Sequence, residues 1–252
     1  MRTPVIELDV VYHVGTLDPA KVGLNSGKGS QEGNCLSVSL CPNAWQAIAR
    51  LGGYGTHLLS TTNGSFLDGL AVAQDTDLLE SIVDWGMAEG LVESATRWRT
   101  WYHDDEREEW GYFLSSSAEA ALEELRSSQD VEDAEEAEAP EGREPIETIS
   151  VLIGREALRV STGFALGKDD DATDALLVEW ARRGPHGLHL DGVWWNETHD
   201  PDILSAPRGA ILPERVRDWE SRVVAIGDVD DDEELDGMPE TEWVEISPSP
   251  RP

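Results

Sequence analysis

Two strand ends, far apart in the chain, set the tightest constraint on how it can fold. Tyr12-His13-Val14-Gly15 closes an apolar strand near the N-terminus, and Asp191-Gly192-Val193-Trp194-Trp195-Asn196-Glu197 closes another. Two adjacent tryptophans are costly to leave in water, so the second strand is central and at least half buried. A histidine at one strand end and a carboxylate at the other can meet across a cleft only if the sheet folds back on itself.

The segments between them alternate irregularly. Residues 4–14 predict a strand, with Val5, Glu7 and Val11 set against Ile6, Leu8 and Val10. A glycine-rich loop over 23–33 leads to a short strand, Cys35-Leu36-Ser37-Val38-Ser39. Pro42 opens a helix through about Leu51, since proline is tolerated in a first turn that has no use for its N–H. Over 77–90, Leu78, Leu79, Ile82, Val83 and Met87 share one side of an amphipathic helix that Gly90 stops. The aromatic segments 97–102 and 110–114 flank a charged turn and predict a hairpin with its rings on the sheet faces.

A short helix over 117–126 runs into 127–147, whose high charge and low hydrophobicity predict a disordered insertion. Strands near 148–154 and 157–162, a helix over 172–183, a strand over 186–195, a short helix over 213–219 and a strand over 222–226 follow. This mixed order favours α+β over a doubly wound parallel sheet. The chain therefore reads as one domain over 1–226, with an acidic C-terminal tail over 227–252.

Charge excludes several function classes. The formal net charge is -32, and only three of the 19 basic residues are lysine (Lys21, Lys28, Lys168). Acid spread along the chain with scarce lysine is the pattern of adaptation to concentrated salt, where carboxylates hold water and cations. A decoy for DNA phosphates is the competing reading, and it would concentrate the acid. No basic stripe exists to displace counterions, which argues against nucleic-acid binding. The N-terminus has acidic residues where a signal peptide needs an apolar run, and no stretch reaches the length of a membrane span. A cytoplasmic protein without a membrane partner is expected. Cys35 and Cys41, with no second pair, read as two reduced thiols rather than a zinc site or a disulfide.

Familiar motifs fail on inspection. Gly27-Lys28 has Val22 where a phosphate loop needs its first glycine, and Gly29 where it needs Ser or Thr. The tract from Asp228 has Glu233 at the turn glycine of a calcium loop and Pro239 at its bidentate glutamate. His186 and His189 point to opposite faces of a strand and lack a third zinc ligand. No Gly-x-Ser-x-Gly elbow exists for a nucleophilic triad. Arg208, held between Pro207 and Gly209, suits gripping phosphate or carboxylate, or else pairs with a nearby acid.

A strand ending in His-x-Gly, a glycine-rich loop, a Ser-x-Ser strand leading into a helix, and a late strand ending in glutamate resemble ADP-ribosyltransferases of the His–Tyr–Glu type. The stretches GNCLSVSLCPNAW and DGVWWNETHDPDILSAPRG also look like parts of microbial and viral proteins associated with that fold. The resemblance implies a split β-sheet with short helices and NAD as substrate. On it, His13 contacts the nicotinamide ribose and the Gly15 backbone holds the nicotinamide amide. Glu197 holds the ribose 2′-hydroxyl as the oxocarbenium forms. Ser37 and Ser39 occupy the strand that carries the family's tyrosine, Tyr102 is a candidate for the stacking aromatic, and Arg208 for the phosphates. Val14 departs from the pattern, because many members have His-Gly adjacent.

A carboxylate fixed in a partly dry cleft would stabilise the ribosyl cation more than the ground state. The implied activity is transfer of ADP-ribose from NAD to a protein or nucleic-acid acceptor. An NAD glycohydrolase would use the same residues. A different class, a non-catalytic acidic protein that binds a basic surface, needs only exposed carboxylates.

Overall fold

The computed structural model describes residues 2–20, 22, 35–48, 54–104, 108–131, 136–155, 158, 169–195, 206–225 and 239–245, with 169–172 described in backbone only. In chain order the first elements are β1 (Arg2–Val14), β2 (Leu36–Ser39), α1 (Pro42–Ile48), β3 (Thr56–Asp68), α2 (Gly69–Gln74) and α3 (Thr76–Ala88). Next come β4 (Val92–Asp104), β5 (Glu109–Ser115), α4 (Ala118–Gln129), β6 (Ile146–Gly154) and α5 (Asp169–Arg183). Then follow β7 (Gly192–Trp195), β8 (Arg208–Ile211), a 3-10 turn (Val216–Asp218), β9 (Glu220–Val224) and β10 (Thr241–Glu245). The α+β class is as the sequence predicts, with a core dominated by sheet.

The main sheet closes on itself. β1 and β3 are antiparallel from Val5 opposite Leu67 to Val14 opposite Thr56. β3 pairs in parallel with β7, β7 with β8, β8 with β2, and β2 returns to β1 where Tyr12 faces Ser39. These five strands form a small barrel, with β10 flanking β1 and β9 flanking β3. The strands are strongly staggered. Tyr12 leads through Ser39 and Arg208 to Trp195, whereas in the other direction Val5 leads through Leu67 to Val193. Such stagger goes with a steep tilt of the strands against the barrel axis.

Directly paired residues share a face, so the row Ile6, Phe66, Gly192, Ile211, Leu36 marks the inside. These residues, glycine aside, join Val11, Val38, Leu59 and Trp194 in one core, against which Val216 and Trp219 pack. Full burial of each large side chain contributes about 1.5–3 kcal/mol. Gly64 permits the close approach of Trp219, since a Cβ there would stand 2.7 Å from its Cζ2.

The outer face carries a second core. Val5, Leu67, Val193, Trp195 and Ala210 lie under Val72 of α2, Leu78 and Ile82 of α3, and Leu176 and Trp180 of α5. Asp75 starts α3 by accepting a hydrogen bond from the Leu78 amide at 3.0 Å. A separate antiparallel sheet, β5-β4-β6, joins the helical layer through Leu91 and Val92. α4 covers it, burying Ala121 and Leu125 and accepting at the Ala121 carbonyl from Thr100 Oγ1.

Several expectations are corrected. The described part of 127–147 is tied down rather than free. α4 runs to Gln129, whose side chain bonds the Trp101 carbonyl and both the carbonyl and amide of Glu138. The C-terminal tail contains β10, paired with β1 from Thr241 opposite Ile6 to Glu245 opposite Arg2. The strand expected over 186–195 is only four residues long, because a turn at Gly187 (φ 69°) precedes it and Asp191 is used in bonds to Ser65. Of the strand expected near 157–162 only Leu158 is described, in a turn whose amide bonds the Arg155 carbonyl at 2.8 Å, and the loop 23–33 and the acidic tract 228–238 lie outside the described residues. Neither cysteine is in a disulfide. No helix among the described residues is long and apolar enough to cross a membrane.

Candidate functional site

The barrel's thinnest seam is where β1 meets β2. Tyr12–Ser39 is the one register pair there, and the His13 side chain reinforces it. Its Nδ1 lies 2.9 Å from the Ser37 carbonyl oxygen. A carbonyl can only accept, so in this hydrogen bond Nδ1 is the donor. Gly15 (φ 147°) lets the chain fold back against that ring, for a Cβ there would stand 2.9 Å from His13 Nε2. Its amide is already bonded to the Gly55 carbonyl at 2.9 Å. His57, opposite His13, places its ring 6.1 Å away. The His13 pKa is held below the usual histidine value, chiefly by burial and also by His57, against the raising effect of the Ser37 and Thr16 backbone.

The other predicted site residues lie elsewhere. Ser37 and Ser39 alternate with the inward Leu36 and Val38, so their hydroxyls face away from the His13 ring. Ser39 Oγ donates to the Pro207 carbonyl at 2.6 Å and accepts from the Cys41 amide, which is structural work. Ser37 Oγ is buried with no hydrogen-bond partner among the described residues. Arg208 lies across from Trp195, with its guanidinium 4.7 Å above that ring and 3.9 Å from the Asp174 carboxylate. Asp174 also accepts from Trp195 Nε1 at 3.0 Å. Arg208 thus follows the ion-pair reading. Tyr102 is on β4, in the other sheet, stacked on Phe113 at 4.5 Å. Glu197 lies outside the described residues. The structure brings His13, Gly15 and the Ser37 carbonyl together. It does not bring the Ser37 and Ser39 hydroxyls, Arg208 or Tyr102 to them.

No family model, curated protein or solved structure matches the chain. His186 is structural: Nε2 donates to the Trp180 carbonyl at 2.8 Å, and Nδ1 accepts from the Leu188 amide at 3.0 Å. A second proton would face that amide. Burial lowers its pKa, against the raising effect of the Trp180 carbonyl. Among the described residues, no group of three His, Cys, Asp or Glu could hold a metal ion.

Both lowered histidines make the fold acid-sensitive. Below the unfolded value near 6.5 the unfolded chain takes up protons that folded His13 and His186 refuse. Stability contributed by these groups is present above pH 6.5 and falls as pH drops below it, by at most about 1.4 kcal/mol per pH unit for each histidine. Urea melts between pH 7 and pH 5 are expected to show a shallower pH slope for His186→Gln than for the wild type. Equal slopes would remove His186 from the linkage.

Sequence reasoning missed an open concavity on the surface. It runs between the α2–α3 junction and β10. One part, of about 640 Å³, is lined by Ala71, Gln74, Asp75, Thr76, Asp77, Thr241 and Trp243. A part of about 420 Å³ shares Asp75, Asp77 and Trp243 and adds Arg2, Leu78 and Ser81. The Arg2 guanidinium lies over the Trp243 ring, 5.7 Å from its centroid, and donates to the Trp243 carbonyl at 3.4 Å. Thr241 fixes β10 by donating to the buried Asp68 carboxylate at 2.6 Å. The available signal was Thr241-Glu242-Trp243-Val244-Glu245, a short alternation inside an acidic tail.

Proposed function

We propose that the chain is a binding protein whose acidic groove beside β10 takes a basic segment of a protein partner. The supporting observation is the placement of Arg2, which sets a guanidinium on Trp243 in a groove lined by Asp75 and Asp77. A cation over an indole gains about 0.5–1 kcal/mol at an exposed site, and nearby carboxylates add to it. The net charge of -32 would speed encounter with a cationic partner and repel anionic ones. An arginine-rich nonapeptide is the direct probe. Its affinity, followed by calorimetry, is expected to fall steeply between 0.05 and 0.5 M salt and to weaken about tenfold in the Trp243→Ala, Asp77→Asn double variant. A wild-type protein that does not bind the peptide at 0.05 M salt would sink this reading.

The NAD reading keeps one specific observation: a histidine fixed through Nδ1, with Nε2 beside Gly15. A nicotinamide amide there would find the Gly15 N–H already taken by Gly55, leaving the Gly15 carbonyl. ADP-ribosyltransferase chemistry would also need Glu197 to reach that mouth of the barrel. Nicotinamide release from NAD by the wild type, lost in Glu197→Gln, would favour it over the binding reading.

A further inference from the structure

We infer that the basic segment binds as an added β-strand on the outer edge of β10, with arginine or lysine at every second position. This rests on the groove being the binding site. β10 is the last strand of its sheet: β1 pairs with one edge, and no strand among the described residues pairs with the other. An open edge presents a row of backbone donors and acceptors, a ready template for an extended chain.

Side-chain alternation then sets the sequence of the partner. Thr241 and Trp243 lie on the groove face of β10, with Glu242 between them. In an added strand, residues two apart share that face at a separation of about 6.8 Å. Two such side chains would enter the groove to meet the Asp75 and Asp77 carboxylates, beside a Trp243 ring that the chain's own Arg2 covers on one face. The edge also excludes a second copy of the chain. Glu242 and Glu245 are exposed on β10, and pairing two such edges would set carboxylates of two chains of charge -32 against each other. The same charges favour a basic strand.

The test separates strand pairing from simple attraction. A nonapeptide with arginine at alternate positions is compared with two N-methylated forms, one methylated at its odd amides and one at its even amides. An added strand turns only one set of amides towards β10. One methylated form is expected to bind at least tenfold more weakly than the other, with the charge of all three identical. Equal binding by the two forms, whether retained or lost in both, overturns strand addition. If both retain affinity and Trp243→Ala, Asp77→Asn still weakens it, the groove reading stands without the strand. Failure of the unmethylated peptide to bind removes the groove reading itself.

Discussion

Truncating Trp194 to alanine is expected to cost about 3–5 kcal/mol, among the largest losses available to a single substitution in this chain. Trp194 is 0% exposed and sits inside the barrel, edge-on to Phe66 at 5.9 Å. Phe66 in turn meets Trp219 at 5.9 Å, so the three rings form one continuous contact. Few replacement atoms are near: Gly209, its cross-strand neighbour, has no side chain, and a Cβ there would stand 2.3 Å from Trp194 Cε3. A cavity left at this point cannot easily collapse, which puts the cost at the upper end of the range. One feature works the other way. Trp194 Nε1 is buried with no partner among the described residues, so removing it also removes an unsatisfied donor. For that reason Trp194→Phe should cost much less than Trp194→Ala. In a domain of this size 1 kcal/mol moves the melting temperature by roughly 2–4 °C. The alanine variant should therefore melt at least about 6 °C lower, and urea melts should show the same loss. A cost under about 1 kcal/mol would mean that the five strands do not enclose a packed interior.

What the sequence made legible follows the strength of local periodicity. α3 was readable because Leu78 and Ile82 repeat at helical spacing and Gly90 stops the run; the helix observed is Thr76–Ala88. The β4–β5 hairpin was readable because aromatic residues flank a charged turn, and Trp101 pairs with Tyr112 in it. β3 was not, because Ser60, Thr61, Thr62 and Asn63 interrupt its alternation where the register with β1 shifts. β10 was hidden by the acid around it. Its five residues gain their place from pairing with β1, and Asp68 and Thr241 are 173 positions apart in sequence. Arg208 was legible as a residue in need of a partner, but not which partner, since Asp174 is brought to it by α5. Closure of the barrel folds the sheet back on itself, while Glu197, the carboxylate expected to face His13, lies outside the described residues. Closure nonetheless turns His13 inward and Trp195 outward, a consequence that depends on register and that no local pattern encodes.

Raising salt is expected to stabilise the fold, with most of the gain complete by about 0.2 M. Dividing 14492 Å² of surface among 32 excess negative charges leaves about 450 Å² for each, a spacing of roughly 20 Å. The screening length is about 30 Å at 0.01 M and about 10 Å at 0.1 M. Excess charges therefore repel one another strongly in dilute buffer and little once salt passes the point where the two lengths cross. Salt also weakens attractive pairs such as Arg155–Glu93, Arg183–Glu89 and Arg182–Glu214. Exposed pairs of this kind contribute only about 0–1 kcal/mol each, and 51 acidic residues face 19 basic ones, so relief of repulsion wins. The melting temperature should climb between 0.01 and 0.2 M sodium chloride and then flatten. Adaptation to brine makes a different demand: a second rise above 1 M, where screening is finished and only cation binding by carboxylates and strengthened apolar burial remain. Potassium chloride taken to 3 M separates the two. A second rise assigns the acidity to the solvent, and a plateau means that salt acts on this fold through screening of charge repulsion alone. A melting temperature that falls from 0.01 to 0.2 M would show that attractive pairs, rather than the excess charge, control the electrostatics of this surface.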